Sequence, residues 1–178
     1  MAIQQQTARR ALLDAFAELA LSRRYHEFGV GLIVRQAKVA RSTFYYHFKS
    51  KDELLVENLA PMFAALSRLR EVDEPPPEIE AWVGHVWQHR TRAARMFRGE
   101  TGRKVAEALG LEMRRALLAQ ARDPSGLRLA PLLADQIAGG MLGLLQSWTS
   151  GRSAASASEI ARLLWSCARS NANAQEST

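Results

Sequence analysis

The sequence predicts an all-α chain of about nine helices, a small three-helix head followed by a larger helical body. Three observations carry that expectation. Apolar residues recur at helical spacing, and few segments alternate apolar with polar side chains as strands do. Ala, Leu, Arg and Glu, all good helix formers, are abundant, and 47% of the residues are hydrophobic. The charge is lopsided: the first 51 residues hold nine basic side chains against three acidic ones, while the rest hold fifteen of each, so the whole net charge of +6 sits at the front. A basic segment joined to a neutral one suits a polyanion-binding module attached to a body with another task.

The first helix is expected over residues 6–23, with Leu12, Phe16, Leu19 and Ala20 on one stripe and Arg9, Asp14 and Arg23 outside it. Gly29 can cap a second helix over 30–37, which buries Val30, Ile33, Val34 and Ala37. Lys38, Val39 and Ala40 make a three-residue turn, and a third helix over 41–48 follows at once. Two short helices with so tight a connection match the helix-turn-helix pattern. Ser50 and Glu53 form a capping box that opens a fourth helix, expected to run to about residue 70. It must stop before Pro75, Pro76 and Pro77. Pro77 suits the first turn of a fifth helix, with Glu78 and Glu80 at its positive end. That helix runs to about residue 98, where Gly99 and Gly102 interrupt it.

A further helical stretch spans 101–121, divisible near Gly110, and residues 123–126 make a turn. The next helix spans 129–149. This is the most apolar segment, yet Pro131, Asp135, Gln136 and three glycines argue against a membrane span, since one central charge costs about 2.5–3.5 kcal/mol. A buried helix fits better. A last helix spans 159–170 and buries Ile160, Leu163, Leu164 and Cys167, and the polar tail over 171–178 frays. Cys167 is the only cysteine, so no intrachain disulfide is possible. No secretory signal opens the chain, and the expected location is the cytoplasm.

The segment Arg41-Ser-Thr-Phe-Tyr-Tyr-His-Phe-Lys-Ser-Lys51 is the richest in chemistry. With Phe44 at zero on a helical wheel, Phe48 falls at about 40° and the two share a buried face. Ser42 and Tyr46 fall opposite, at about 160° and about 200°, flanked by Thr43 and Tyr45. The outer face therefore offers hydroxyls and rings, with Arg41 at the end that enters a groove first. Arginine can take guanine bidentately, hydroxyls bond phosphates or base edges, and a ring packs on a thymine methyl. Lys51, with the free amides at the start of the next helix, suits a phosphate.

This run, with Ile33-Val-Arg-Gln-Ala-Lys-Val39 before it and Leu54 and Leu55 after it, resembles the TetR family of bacterial transcription regulators. The resemblance covers roughly the first 60 residues. It implies a DNA-binding head (1–51) and an effector-binding and dimerisation body (52–178). The implied protein is a homodimer joined through its last two long helices and bound to a palindromic duplex operator. A small apolar or aromatic effector releases it, as a repressor. The matching DNA-contact residues are Arg41, Ser42, Thr43, Tyr45, Tyr46, His47 and Lys51, with Arg35 and Gln36 from the supporting helix. Three positions depart from the pattern. Arg24 and Lys38 stand where the family commonly has glycine, and a left-handed backbone without glycine costs roughly 1–2 kcal/mol. Ala40 stands where a capping hydroxyl is common, at a cost of about 1 kcal/mol.

In the body, Met62, Trp82, His85, Trp87, Phe97 and Met113 are candidates for an effector pocket. His85 and His89 have metal-chelating spacing but lack further ligands beside them, so neither metal nor cofactor is expected. The three glycines Gly139, Gly140 and Gly143 suggest close approach, at a subunit interface or beneath Trp165. Catalysis finds no motif: no P-loop, no nucleophile elbow, no Cys-x-x-Cys. Two rival readings stay open, a DNA-binding dimer without an effector and a helical enzyme or carrier with a vestigial head.

Overall fold

The computed structural model describes residues 2–68, 74–121 and 124–173. Among them the chain forms nine α-helices and no strand: α1 Ala2–Ser22, α2 Val30–Gln36, α3 Arg41–His47, α4 Lys51–Ser67, α5 Pro77–Gln88, α6 Arg90–Met96, α7 Gly99–Gln120, α8 Pro124–Thr149 and α9 Ala157–Asn173, with a single 3-10 turn at Tyr25–Glu27. The chain divides into two compact units, Met1–Leu59 and Ala60–Thr178. The division falls inside α4, next to Pro61, through which the helix continues. The expected fourth-helix end near residue 70, Asp73, Asp123 and the tail after Asn173 lie outside the described residues.

The head packs α1, α2 and α3 around one apolar centre. Leu12, Phe16 and Leu19 supply it from α1, Ile33 and Val34 from α2, and Phe44 from α3. Tyr25 and Phe28 complete it, both buried. Their rings meet Phe16 edge-on at centroid distances of 6.3 and 5.9 Å. Such edge-to-face pairs add about 0.5–1.5 kcal/mol each beyond area burial. Arg24 needs no glycine, because its backbone is extended (φ −71°, ψ 141°). Lys38 is the strained position: at φ 55° it is the one left-handed non-glycine among the described residues. Ala40 stands at the start of α3 without a side-chain cap, as its methyl dictates.

The body places its centre between α7 and α8, with α9 and α5 against it. Val105, Leu109, Met113 and Leu117 from α7 are buried, as are Ala130, Ala134, Ile137, Met141 and Trp148 from α8. The expected single fifth helix breaks at His89 (φ −111°, ψ 23°) into α5 and α6. The break comes from a backbone turn at a residue whose type does not announce it. Gly99, the first residue of α7, lies in the left-handed region at φ 58°. Gly102 does not interrupt α7. It lets the helix pass the Phe97 carbonyl, whose oxygen would lie 2.2 Å from a Cβ at that position. Gly110 likewise leaves α7 continuous, and residues 124–126, expected as a turn, begin α8.

Two expectations of burial are corrected. Leu163 on α9 is 49% exposed, and α8 is buried on one face only, with Leu132 66% exposed on the other. Gly140 meets α9, with an added Cβ 3.3 Å from Cys167 Sγ, so its close neighbour is Cys167 and not Trp165. Gly139 and Gly143 have open space where a Cβ would stand. No helix among the described residues is long and apolar enough to cross a membrane.

Candidate nucleic-acid interface

The outer face of α3 is built by two short helices and the turn between them. Val39 N–H donates to Val34 O (3.0 Å) and Lys38 N–H to Arg35 O (3.2 Å), which closes the turn. Thr43 and Phe44 N–H both donate to Ala40 O, so α3 starts at Arg41 without delay. Phe44 and Phe48 point inward, fully buried, with ring centroids 5.9 Å apart. The opposite face stays open: Tyr46 is 69% exposed and Tyr45 51%. Arg41 and Ser42 are exposed beside them, and Thr43 is half-buried. At this exposure each tyrosine ring forfeits roughly half or more of the about 1.5–3 kcal/mol that full burial of a large apolar side chain gains.

Within this face Arg41 and Tyr45 form a pair one helical turn apart. Arg41 Nη2 donates to the Tyr45 hydroxyl at 3.3 Å, and the guanidinium carbon lies 5.7 Å from the Tyr45 ring centroid. The long arginine is thus held at the N-terminal end of α3. His47 is less available than the family resemblance implies. It is half-buried, edge-on to Tyr46 at 4.9 Å, and its Nε2 is enclosed without a hydrogen-bond partner among the described residues.

The supporting helix divides its two candidates. Arg35 and Gln36 are both exposed. Gln36, however, donates its amide to Glu18 Oε2 at 2.7 Å and thereby links α2 to α1. Lys51 departs furthest from its expected place. Its ammonium turns inward, donating to the Phe28 carbonyl at 2.8 Å and to the Tyr25 carbonyl. Ser50 caps α4 as expected, accepting from Glu53 N–H at 3.1 Å, while the Glu53 carboxylate accepts from Lys49 N–H, one residue earlier than a simple capping box.

Two features of the head were not legible as contacts in the sequence. Arg9 pairs with Glu57, and its guanidinium sits 5.7 Å from the Phe48 ring, so the end of α3 is clasped from both chain directions. Lys38 and Lys49 place exposed cations before and after α3. Their excess of positive charge was the only signal available.

The body candidates fall into separate neighbourhoods. Trp82 meets Phe97 edge-on at 6.4 Å, whereas Trp87 stacks on Trp148 at 4.6 Å with Arg90 over its other side at 4.8 Å. Met113 and Phe97 are buried core residues, as is Met62 on α4. His85 is exposed, with its ring 4.8 Å from that of His89. Partial desolvation by its packed side, then the neighbouring His89, holds its pKa below the ordinary histidine value. Burial also raises the Cys167 thiol, which disfavours the reactive thiolate. Among the described residues no three metal-ligating side chains gather.

Comparison with known proteins agrees with this geometry. The family model described as bacterial regulatory proteins of the tetR family matches residues 12–57. A curated relative from Haemophilus influenzae (strain ATCC 51907 / DSM 11121 / KW20 / Rd), described as an uncharacterized HTH-type transcriptional regulator, is 29% identical over 103 residues. The match covers 54% of this chain and 50% of the relative, so the chain spans about half the length of the curated relative it matches. Among solved structures, a TetR transcriptional regulator from Rhodococcus sp. RHA1 superposes with a TM-score of 0.61 at 17% identity, covering 98% of each chain. At that identity the likeness is one of fold.

Proposed function

We propose, on the match of its head to the family model of bacterial tetR-family regulatory proteins over residues 12–57, that the chain is a DNA-binding transcriptional regulator of that family, a repressor released from a palindromic operator by a small-molecule effector. The carrying observation is the outward set Arg41, Ser42, Tyr45 and Tyr46 opposite the buried Phe44 and Phe48. Arg41 reads a guanine edge, Tyr45 and Tyr46 pack on methyls or phosphates, and exposed Lys38, Lys49 and Arg35 supply phosphate contacts.

Two copies join through the open faces of α8 and α9. Leu129, Leu132, Gly139 and Gly143 lie on one side of α8 and Leu163 on α9, an apolar and smooth surface suited to its own copy. Such a dimer presents two α3 helices to successive major grooves about 34 Å apart. The half-exposed Trp82, edge-on to Phe97, is the best-placed start of an effector site. A second reading, a DNA-binding dimer without a small-molecule effector, draws on the complete burial of Met113 and Phe97 in the body's core.

Selection of bound duplexes from a random pool tests the first claim. A palindrome with half-sites one helical turn apart is the expected product, and an unenriched pool would remove DNA recognition. With about four phosphates neutralised per subunit, log K falls against log salt with a slope of about −7. A thermal-shift screen separates the two readings, since an effector raises the melting temperature and its absence across broad chemistry favours the second.

A further inference from the structure

Among the described residues, Lys51 is the one lysine of the head whose ammonium is enclosed by the head itself. Its Nζ lies 3.9 Å from the Tyr25 ring centroid and 4.8 Å from that of Phe28. It also donates to the main-chain carbonyls of both residues. An ammonium has three donors, and two are spent here.

The segment so gripped matters to the interface. Tyr25–Glu27 and Phe28 join α1 to α2, and Gly29, next in line, caps α2 by accepting from Leu32 and Ile33 N–H. The residue after Lys51 holds the same segment from another side: the Tyr25 hydroxyl donates to Asp52 Oδ1 at 2.5 Å. Burial and that bond push the tyrosine hydroxyl far above the ordinary phenol range, and burial, opposed by Asp52, lowers the lysine. Two adjacent side chains at the start of α4 thus pin a loop 26 and 27 residues earlier in the chain.

We infer that Lys51 is a positioning residue, an internal strut that sets the loop before α2 and through it the seat of α3, and not a ligand of the DNA phosphates. The inference rests on the DNA-binding reading above. Swinging the ammonium out to a phosphate would strand two carbonyls and uncover two aromatic faces. Exposed Lys38 and Lys49 can meet a phosphate without either loss.

The test uses the full chain and a fluorescein-labelled, mixed-sequence duplex of about 30 base pairs, titrated over a series of KCl concentrations. Lys51→Met keeps the apolar stem and removes the donors. The expected result is affinity reduced about tenfold at fixed salt, a lower melting temperature and a salt slope equal to that of the unmodified protein. A slope moved toward zero by about 2, one phosphate per subunit, overturns the strut whatever the melting temperature. So does an unchanged melting temperature.

Reductive methylation of the unmodified protein, read by mass spectrometry, decides the matter should Lys51→Met fail to fold. The Lys51 amine is expected to react at least about tenfold more slowly than those of Lys38 and Lys49, because two rings and two carbonyls obstruct the approach of the aldehyde. Equal rates overturn the proposal. A wild-type chain that binds no duplex at any salt removes the DNA-binding reading, while melting and methylation still judge the strut.

Discussion

The outer faces of α3 and α8 make an instructive pair. Each is the open side of a helix whose other side is buried, and each exposes large side chains. On α3 these are Arg41, Ser42, Tyr45 and Tyr46, every one carrying a hydrogen-bonding group. On α8 they are Leu129 and Leu132, with Gly139 and Gly143 leaving the surface flat and exposed Arg128, Asp135 and Gln136 as polar neighbours. On the reading proposed above, exposure alone does not separate a DNA-facing surface from a subunit-facing one, and the polar ends of the side chains make the distinction. A groove of acceptors and methyls rewards tyrosine and arginine, whereas a leucine and glycine stripe gains only from another apolar surface that excludes water.

Placing a charge on the apolar stripe breaks the comparison most severely. Leu132→Glu is expected to weaken dimerisation by about 3 kcal/mol or more, because two unpaired carboxylates would be buried at a symmetric contact. Sedimentation would then find a monomer, with the helical content retained. An unchanged dimer would move the interface elsewhere.

On the polar face, Arg41→Ala is expected to cost about 1–3 kcal/mol of operator affinity and to relax preference at one base position. Tyr46→Ala should weaken all duplexes alike by about 1 kcal/mol. Competition binding with single-base variants of the selected operator distinguishes the two. Retained discrimination in the Arg41 variant would withdraw its base-reading role.

Lys38→Gly sharpens the contrast between stability and function within the head. Relief of the left-handed lysine is expected to raise the unfolding free energy by about 0.5–1 kcal/mol, net of the entropy that glycine adds to the unfolded chain. Loss of the cation should lower duplex affinity in the same variant. Chemical denaturation read beside DNA titration checks both signs.

The smallest effect concerns pH in the body. His85 has a pKa lowered by partial desolvation and by His89, so the unfolded chain binds more protons once the pH falls below the ordinary histidine value of 6.5. Stability is therefore full above that value and declines slightly as the pH falls through it. His85→Gln should flatten this dependence in melts taken between about pH 5 and about pH 7.5. An unaltered profile would assign it to another group.

Much of the head was legible because its signals are local. The pairing of Phe44 with Phe48 follows from helical spacing, and the tyrosines opposite follow with it. The glycine-favouring conformation at Lys38 was readable from the family pattern, whereas the same pattern misjudged Arg24, whose extended backbone asks for no glycine. In the body, the α5–α6 break at His89 left no mark, since neither proline nor glycine makes it. Gly102 looked like a helix breaker, yet it is a clearance for the Phe97 carbonyl within a continuous helix. The proposed pocket residues shared apolar chemistry but not a location, because Trp82 and Trp87 lie on different sides of α5 and take different partners, Phe97 and Trp148.

By itself the sequence determined the helical character, the order of small head and larger body, and the inward and outward faces of α3. Those properties depend on residues within a few positions of one another. Only the tertiary structure decided which cations and amides remained available. Lys51 is engaged by residues 26 and 23 positions away, Gln36 is hydrogen-bonded to one 18 away, and Arg9 is committed to one 48 away. A side chain's freedom to meet another molecule is set by the neighbours that folding brings to it, and those neighbours lie far beyond the reach of any local pattern.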